Sequence, residues 1–555
     1  MYVIFIMKEI LIIGAIICTV YLNLSQCGEK EIKGNNLLLF ALIIVSLSIF
    51  YMKYVYKKEG MMLGNIGCDP NSSPPALCPG GYPCPESGLC INVPYGVNFG
   101  GLFVLEDWFY SKPGAEGTTR VDTDKKKQTG LVRNIAKDTI HDNSKFFGEC
   151  DLVSILKNKG IDDRDIYKIF EGHRKTYLGN IPDLLQEIKE TGIRAIRLPV
   201  TWCIVYEDDA DTYEIQGEDE RTVTIHKDNM IIKDPYFNDT EETFWVGIPI
   251  KDIQTILQTA GRLGLQILID FHTYPGGSSY GSYSGTWPKD TKFWNNNRVA
   301  KENIRTIVSK FCNWVKNDRG AMKGLYGITP MNEPAHLAGI DSFYENYPVR
   351  WKDKNTRFKE MTSVLSESID VFKSSGMNKH SKKLIMNVIE TSTIDFGEQM
   401  FTVWGDWWKS KTTSEERKTW AGLDIHHYEA WSDPNSCNSQ NNSAEDCMKH
   451  VEETDWNKVF GDIKDKVVSK DDLFYVSEFS NSLYNDTKYS LASGLVNNEN
   501  YKQIRNKYYE KQLHSLYSNN IRGFFWTWDV PLNSNYQNEW SLKDVISSIR
   551  DQNQN

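Results

Sequence analysis

The sequence predicts an α/β fold, a (β/α)8 TIM barrel with long loop insertions, preceded by one or two N-terminal transmembrane segments. Two observations predict the barrel. From residue 93 onward, short apolar runs of β type alternate with helical patterns, as parallel strands joined by crossover helices do. Eight such strand–helix units fit before the C-terminus, the number that closes a barrel. A third observation disfavours the runner-up, a doubly wound open sheet: no glycine-rich phosphate turn follows any strand.

An apolar run from Ile10 to Leu24 follows Lys8, and a second spans Leu37 to Tyr56 with only Lys53 interrupting it. The second is close to the about 20 residues of a membrane span; the first reads as a span or a cleaved signal. Residues 1–59 are therefore expected to anchor the chain through 10–24 and 37–56, as two spans or as a single type II anchor. Lys53, Lys57 and Lys58 would draw the remainder of the chain to the cytoplasm. The cysteines and glycosylation sequons argue the other way. Residues 60–92 form a Cys/Pro/Gly-rich stalk in which Cys68, Cys78, Cys84 and Cys90 crowd together, and Cys437 and Cys447 bracket a later polar loop. Without C-x-x-C spacing or a nearby His, a zinc knuckle is disfavoured and these six are disulfide candidates. Sequons at Asn71, Asn238, Asn441 and Asn485 are N-glycosylation candidates, and they agree with an extracellular or lumenal globular region, 93–555.

Within 93–555, strands are expected at Gly96–Val104, Ala195–Val200, Gln266–Phe271, Leu325–Met331, Leu384–Ile389, Leu423–His427, Phe474–Val476 and Gly523–Trp526. Helices are expected near 181–191, 251–263, 297–316, 357–374, 398–409, 444–466, 501–518 and 541–550. The stretches 111–175 and 203–248 read as insertions, the second alternating enough (T-V-T-I, M-I-I) for a small hairpin. The 16 Trp, 28 Tyr and 24 Phe supply a large core and suit flat contacts with sugar C–H faces. A net charge of −10 argues against a nucleic-acid partner.

The chemistry gathers at strand ends. In Gly324–Pro334, G-L-Y-G-I-T-P-M-N-E-P, an apolar strand stops at Asn332-Glu333, and Pro334 cannot continue a ladder. Other strands end near Arg197, in Asp270-Phe271-His272, in His426-His427-Tyr428, at Glu478 and in Trp526-Thr527-Trp528. A strand buried on both faces has no structural need of titratable groups at its end, and in a parallel barrel that end is the functional face. Glu333 and Glu478 form the carboxylate pair that retaining glycoside hydrolysis requires, at about 5–5.5 Å. Arg197 and Tyr428 are the candidates to keep Glu478 ionised. His272 and His426 fit neither a zinc site, for want of H-E-x-x-H, nor a serine triad, for want of G-x-S-x-G. No metal and no organic cofactor is expected.

These motifs resemble glycoside hydrolase family 5, in the cellulase superfamily of retaining (β/α)8 glycosidases, and most of all its exo-β-1,3-glucanase branch. The resemblance covers roughly 93–550. Its carriers are G-V-N-F-G-G-L-F-V-L-E-D-W, I-R-L-P-V-T-W, I-L-I-D-F-H, M-N-E-P, D-I-H-H-Y, V-S-E-F-S and G-F-F-W-T-W. It implies Glu333 as acid/base, Glu478 as nucleophile and Asn332 on the sugar 2-hydroxyl. It further implies that Arg197, Tyr428, His272 and His426 line the same subsite, that Trp526 is a stacking floor, and that Glu106 holds distal hydroxyls. Leu102, Asp529-Val530-Pro531 and the loop after His272 depart from that branch, which touches the outer subsites. The expected function is hydrolysis of a β-glucan, an oligo- or polysaccharide substrate, by a membrane-tethered enzyme. The alternatives are a steryl or ceramide β-glucoside hydrolase, a transglycosylase, and a non-catalytic carbohydrate-binding or structural wall protein.

Overall fold

Eight parallel strands close on themselves: β1 (Gly96–Asn98), β2 (Ala195–Val200), β3 (Gln266–Phe271), β4 (Leu325–Thr329), β5 (Lys383–Glu390), β6 (Ala421–His427), β7 (Phe474–Phe479) and β8 (Arg522–Phe525). Each pairs with its sequence neighbour, and β8 returns to β1. The computed structural model describes residues 77–78, 82–83, 93–106, 148–219, 221–238, 240–279, 282–286, 289–334, 354–390, 397–429, 444–483, 499–530 and 537–552. The chain divides into two units, Met1–Leu63 and Gly64–Asn555. Both expected membrane segments fall outside the described residues, as do Cys68, Cys84, Cys90, Cys437, Asn71, Asn441 and Asn485. No helix among the described residues is long and apolar enough to cross a membrane. Within 60–92, Leu77–Cys78 pairs antiparallel with Tyr82–Pro83.

The helices following the strands are α1 (Ile181–Glu190), α2 (Ile250–Leu263), α3 (Asn297–Asn317), α4 (Lys354–Ser374), α5 (Gly397–Lys411), α6 (Trp456–Val467), α7 (Glu499–Ser518) and α8 (Leu542–Gln552). α1 follows β1 after a long excursion, and the others follow β2 to β8 in turn. In α2, Ile250, Ile253, Ile256, Leu257 and Ala260 recur at helical spacing and are buried. Each of the four isoleucine and leucine side chains contributes about 1.5–3 kcal/mol. Gly264, at φ 79°, ends the helix where a side chain would be strained.

Strand alternation explains what the barrel encloses. Ile196, Leu198 and Val200 of β2 join the outer apolar shell under the helices, as do Leu384, Met386 and Val388 of β5 and Leu423 and Ile425 of β6. The opposite parity faces inward. Ala195, Leu268, Tyr326, Ile385, Tyr475 and Phe524 make an apolar floor. One residue pair further along come Arg197, Asp270, Asn387, Asp424 and Ser477, all buried and polar. The barrel is thus apolar below and polar above.

Several elements differ from expectation. β1 stops at Asn98, and 99–105 continue as a buried irregular run. β4 ends at Thr329 because Pro330, not Pro334, is the first residue lacking an N–H. The expected helix 444–466 is two, Ala444–Glu453 and α6, since Asp455 caps a new start by accepting from the Lys458 N–H. Part of the expected insertion 111–175 is helical, at Glu149–Asn158 and Asp163–Leu178. The 203–248 insertion holds two antiparallel pairs, Tyr213–Gln216 with Thr222–Ile225 and Ile231–Lys233 with Phe244–Val246. It bears on the barrel mouth: buried Asp234 accepts from Trp245 Nε1 at 2.9 Å and from the Gly276 N–H, in the loop after β3, at 2.8 Å.

Candidate active site

Glu333 and Glu478 meet at the C-terminal rim of the barrel. One oxygen of each and a ring nitrogen of His426 lie within 4.8 Å of one another, and all three residues are buried. β6 and β7 pair so that His426 stands opposite Glu478, after a register shift in the ladder. The shift breaks strict alternation, so Ser477 and Glu478 both reach groups inside the barrel mouth.

Arg197 is the hub beneath them. It is fully buried. Nη1 donates to Glu478 Oε1 at 2.5 Å and to Asn98 Oδ1 at 2.9 Å. Nη2 donates to Asn332 Oδ1 at 2.7 Å and lies 3.0 Å from Asp270 Oδ2. A planar guanidinium can serve four acceptors in this way; an ammonium cannot. Burial acts against its charge, but Asp270, Glu478 and Asp424 outweigh it and hold Arg197 above its ordinary range. The second oxygen of Glu478 accepts from the Tyr428 hydroxyl at 2.7 Å. Burial, and then the Glu478 charge, push that phenol well above its usual value, so it stays a donor.

Asn332 is oriented by the same hub. With Oδ1 on Arg197, its Nδ2 points to His272 Nε2 at 3.4 Å. His272 Nδ1 in turn sits 2.5 Å from Asp270 Oδ2, so the proton belongs on Nδ1 and Nε2 accepts. The His272 ring stacks on Trp526, with centroids 5.8 Å apart and planes 16° from parallel. Trp526 is 5% exposed and shares an apolar cluster with Leu105, Tyr428 and Trp540. Glu106 is buried after β1, where its backbone bridges Gly148.

His426 links the two glutamates. Nδ1 lies 2.5 Å from Glu333 Oε1 and 3.4 Å from Glu478 Oε2; Nε2 meets Ser477 Oγ at 3.1 Å. Burial opposes its charge, but Glu478 and Glu333 outweigh burial and push the imidazole up to about 9. A site with a proton shared at the His426–Glu333 contact and a carboxylate held by Arg197 and Tyr428 has one group to donate a proton and one to attack.

Glu333 carries a further mark. Its φ is 43°, in the left-handed region, although it is not glycine and precedes a proline. Such a conformation costs about 1–3 kcal/mol and persists only where the surroundings over-determine it. Here both backbone groups are held: the N–H donates to Asn387 Oδ1 at 2.7 Å and the C=O accepts from Ser279 Oγ at 3.0 Å.

The structure therefore brings Glu333, Glu478, Arg197, Asn332, His272, His426, Tyr428 and Trp526 into one linked group. The sequence reading gave no role to Asn98, Asp270, Asn387, Asp424 or Ser477. Two carboxylates and an imidazole at this spacing are also a metal-type donor set, but Arg197 already compensates Glu478, which weakens the attraction for a second cation. Among the cysteines, Cys150, Cys203 and Cys312 are buried free thiols, and Cys447 is disulfide-bonded.

No family profile matches the chain. It is 23% identical over 334 residues to an uncharacterized glycosyl hydrolase of Saccharomyces cerevisiae, a match covering 56% of this chain and 57% of that one. The matched part thus spans just over half the length of that curated relative. Among solved structures, it is similar to a GH5-4 broad-specificity endoglucanase from an uncultured bacterium, at 13% identity and TM-score 0.41, covering 68% of this chain and 86% of that one. It is also similar to the endoglucanase Cel5A of Thermotoga maritima, at 13% identity and TM-score 0.35, covering 66% and 89%. A family 1 β-glucosidase of the same organism stands at 11% and 0.35, covering 63% and 77%. The fold reading itself rests on this chain's own closed order of eight parallel strands.

Proposed function

We propose that the chain is a retaining β-glycosidase that hydrolyses O-glycosidic bonds of a β-glucan through Glu333 and Glu478. The observation that carries this is the carboxylate spacing, within 4.8 Å at the nearest oxygens. Retaining glycosidases hold the pair at about 5–5.5 Å, whereas inverting ones need about 6.5–9.5 Å to admit a water. In the first step the Glu333 carboxyl gives its proton to the glycosidic oxygen as the C–O bond breaks, and a Glu478 oxygen bonds to the anomeric carbon. In the second, the Glu333 carboxylate takes a proton from water, whose oxygen displaces Glu478 and releases the sugar. Asn332 Nδ2 would meet the 2-hydroxyl, and Trp526 would be the stacking floor under the sugar ring. The name of the yeast relative agrees with this reading.

The test is trapping. A 2-deoxy-2-fluoro-β-glucosyl fluoride should add one sugar mass to the protein at Glu478, and product released from a β-glucan should first appear as the β-anomer. Release of the α-anomer would overturn the mechanism. The apolar runs 10–24 and 37–56 favour a second reading, in which a tethered enzyme takes a steryl or ceramide β-glucoside. Comparing glucose release from laminarin with release from a glucosyl lipid in vesicles separates the two. Product oligomers longer than the substrate would mark a transglycosylase. Binding without turnover would mark a scaffold protein. The sequon at Asn238, whose Asn238 and Thr240 are exposed, and the disulfide-bonded Cys447 support an extracellular or lumenal catalytic region.

A further inference from the structure

The clamp on Glu333 does not end at Asn387. The Asn387 amide cannot turn over, because its Nδ2 donates to Asp424 Oδ2 at 2.9 Å while its Oδ1 holds the Glu333 N–H. Asn387 and Asp424 are paired across β5 and β6, so this contact is built into the barrel register. Asp424 Oδ1 accepts from the Ser477 N–H at 2.7 Å, and Oδ2 also accepts from the Ser477 hydroxyl. With its own proton on Asp424, Ser477 Oγ is left to accept from His426 Nε2 at 3.1 Å, and His426 Nδ1 returns to Glu333 Oε1. The hydrogen bonds close a ring. They leave the Glu333 backbone through Asn387, pass Asp424, and come back to the Glu333 carboxyl through Ser477 and His426. Ser477 also directly precedes Glu478.

Asp424 is wholly buried, and among the described residues its only ion pair is the 3.7 Å approach to His426 Nε2. Arg197 and His426 are the cationic groups that act on it. A buried carboxylate with so little direct compensation is costly, and a purely structural position would be served by an apolar residue.

We propose that Asp424 is the positioning residue of the site: from one point it fixes the backbone of Glu333 through Asn387 and its carboxyl through Ser477 and His426. Asp424 touches no substrate. It sets where the proton-donating group stands relative to the nucleophile. This rests on the proposed roles of Glu333 and Glu478.

The experiment compares leaving groups. A 2,4-dinitrophenyl β-glucoside departs without protonation, whereas a 4-methylphenyl β-glucoside needs it. Asp424→Asn keeps the shape but turns one acceptor into a donor, facing either the Asn387 amide and the Ser477 hydroxyl or, with the amide turned over, the Ser477 N–H. It is expected to lower kcat on the 4-methylphenyl substrate about 100-fold, the scale of a misplaced general acid, with KM little changed. On the dinitrophenyl substrate kcat/KM, which reads only the glycosylation step and not the base-assisted release that also uses Glu333, should stay within about fivefold, and labelling by the fluorosugar, read by intact mass, should proceed at the wild-type rate. Ser477→Ala, which breaks only the His426 arm, should lose about tenfold on the 4-methylphenyl substrate alone, and Ser477→Thr should restore it. The Ser477 pair decides the matter where Asp424→Asn does not fold. Equal losses on both leaving groups, or no loss on either, would overturn the proposal. Wild-type protein that neither labels nor turns over either glucoside would overturn the glycosidase reading itself, and the positioning role with it.

Discussion

Replacing Arg197 with lysine tests whether the hub acts through its shape or only through its charge. The guanidinium makes four contacts from two nitrogens, to Glu478, Asn98, Asn332 and Asp270, at 2.5 to 3.0 Å. Lysine keeps the positive charge but offers one nitrogen on a flexible stem, and it cannot reach both Glu478 on one side and Asn332 on the other. We therefore expect two of the four contacts to go. A hydrogen bond to a charged group is worth about 1.5–3 kcal/mol, so the loss is about 3–6 kcal/mol. At 1.36 kcal/mol per decade, kcat/KM on an aryl β-glucoside should fall by about two to four orders of magnitude. Thermal melting by circular dichroism, run alongside, should show Arg197→Lys still folding cooperatively, since Asp270 and Glu478 keep a cation nearby. Arg197→Met should melt well below it, because breaking a buried pair costs about 3–5 kcal/mol. An Arg197→Lys enzyme within tenfold of wild type would show that the fork does not position these groups.

Glu478→Gln, the same size without the charge, should lose kcat by about 10⁴–10⁶-fold, the range for deletion of a covalent nucleophile, while still folding and melting cooperatively; near-native turnover would remove the mechanism. His426 is raised from 6.5 to about 9 in the folded chain, so its pairing with the glutamates is fully present below about pH 6.5 and is lost as pH rises toward 9. The melting temperature should therefore fall across that window, and the fall should be shallower in His426→Gln when both are followed by differential scanning fluorimetry from pH 6 to 10. Exhaustive dialysis against EDTA should leave kcat unchanged despite the Glu333–His426–Glu478 donor set; activity lost and then restored by one divalent metal would reassign the centre.

The strand–helix alternation was legible because each strand is apolar and short. Seven of the eight start within one residue of expectation, and β6 starts two residues early. Glu333 and Glu478 were legible for a related reason: each interrupts or terminates an apolar run. The same signal was present, unread, at Asn387 in L-I-M-N-V-I and at Asp424 in G-L-D-I-H. A polar side chain in a strand covered on both faces must find partners inside the barrel. Alternation from Ile385 would have placed Asn387 on the inner face, beside Asp424. What the chain does not reveal locally is register. That Asn387 stands opposite Asp424 depends on the β5–β6 register, and that His426 stands opposite Glu478 depends on a shift in the β6–β7 ladder; no single strand encodes either. The helices at 149–158 and 163–178 escaped notice because they sit in a polar, lysine-rich stretch where apolar spacing is diluted.

The charge balance of the rim points to the kind of transition state it can stabilise. Asp270, Glu333, Asp424 and Glu478 are drawn together around one guanidinium and one imidazole, Arg197 and His426. Even with His426 protonated, neutrality requires further protons or an incoming positive charge. A reaction that develops an oxyanion would be opposed here, since the donors on Arg197 and Tyr428 are already spent on Glu478. A reaction that develops positive charge at carbon is favoured, and glycosidic cleavage does so as the oxocarbenium-like state forms. The surplus acidity also explains why Arg197 is buried under four acceptors. Without it, Asp270 and Glu478 would repel each other at the rim, and Glu478, the proposed nucleophile, would have no fixed direction.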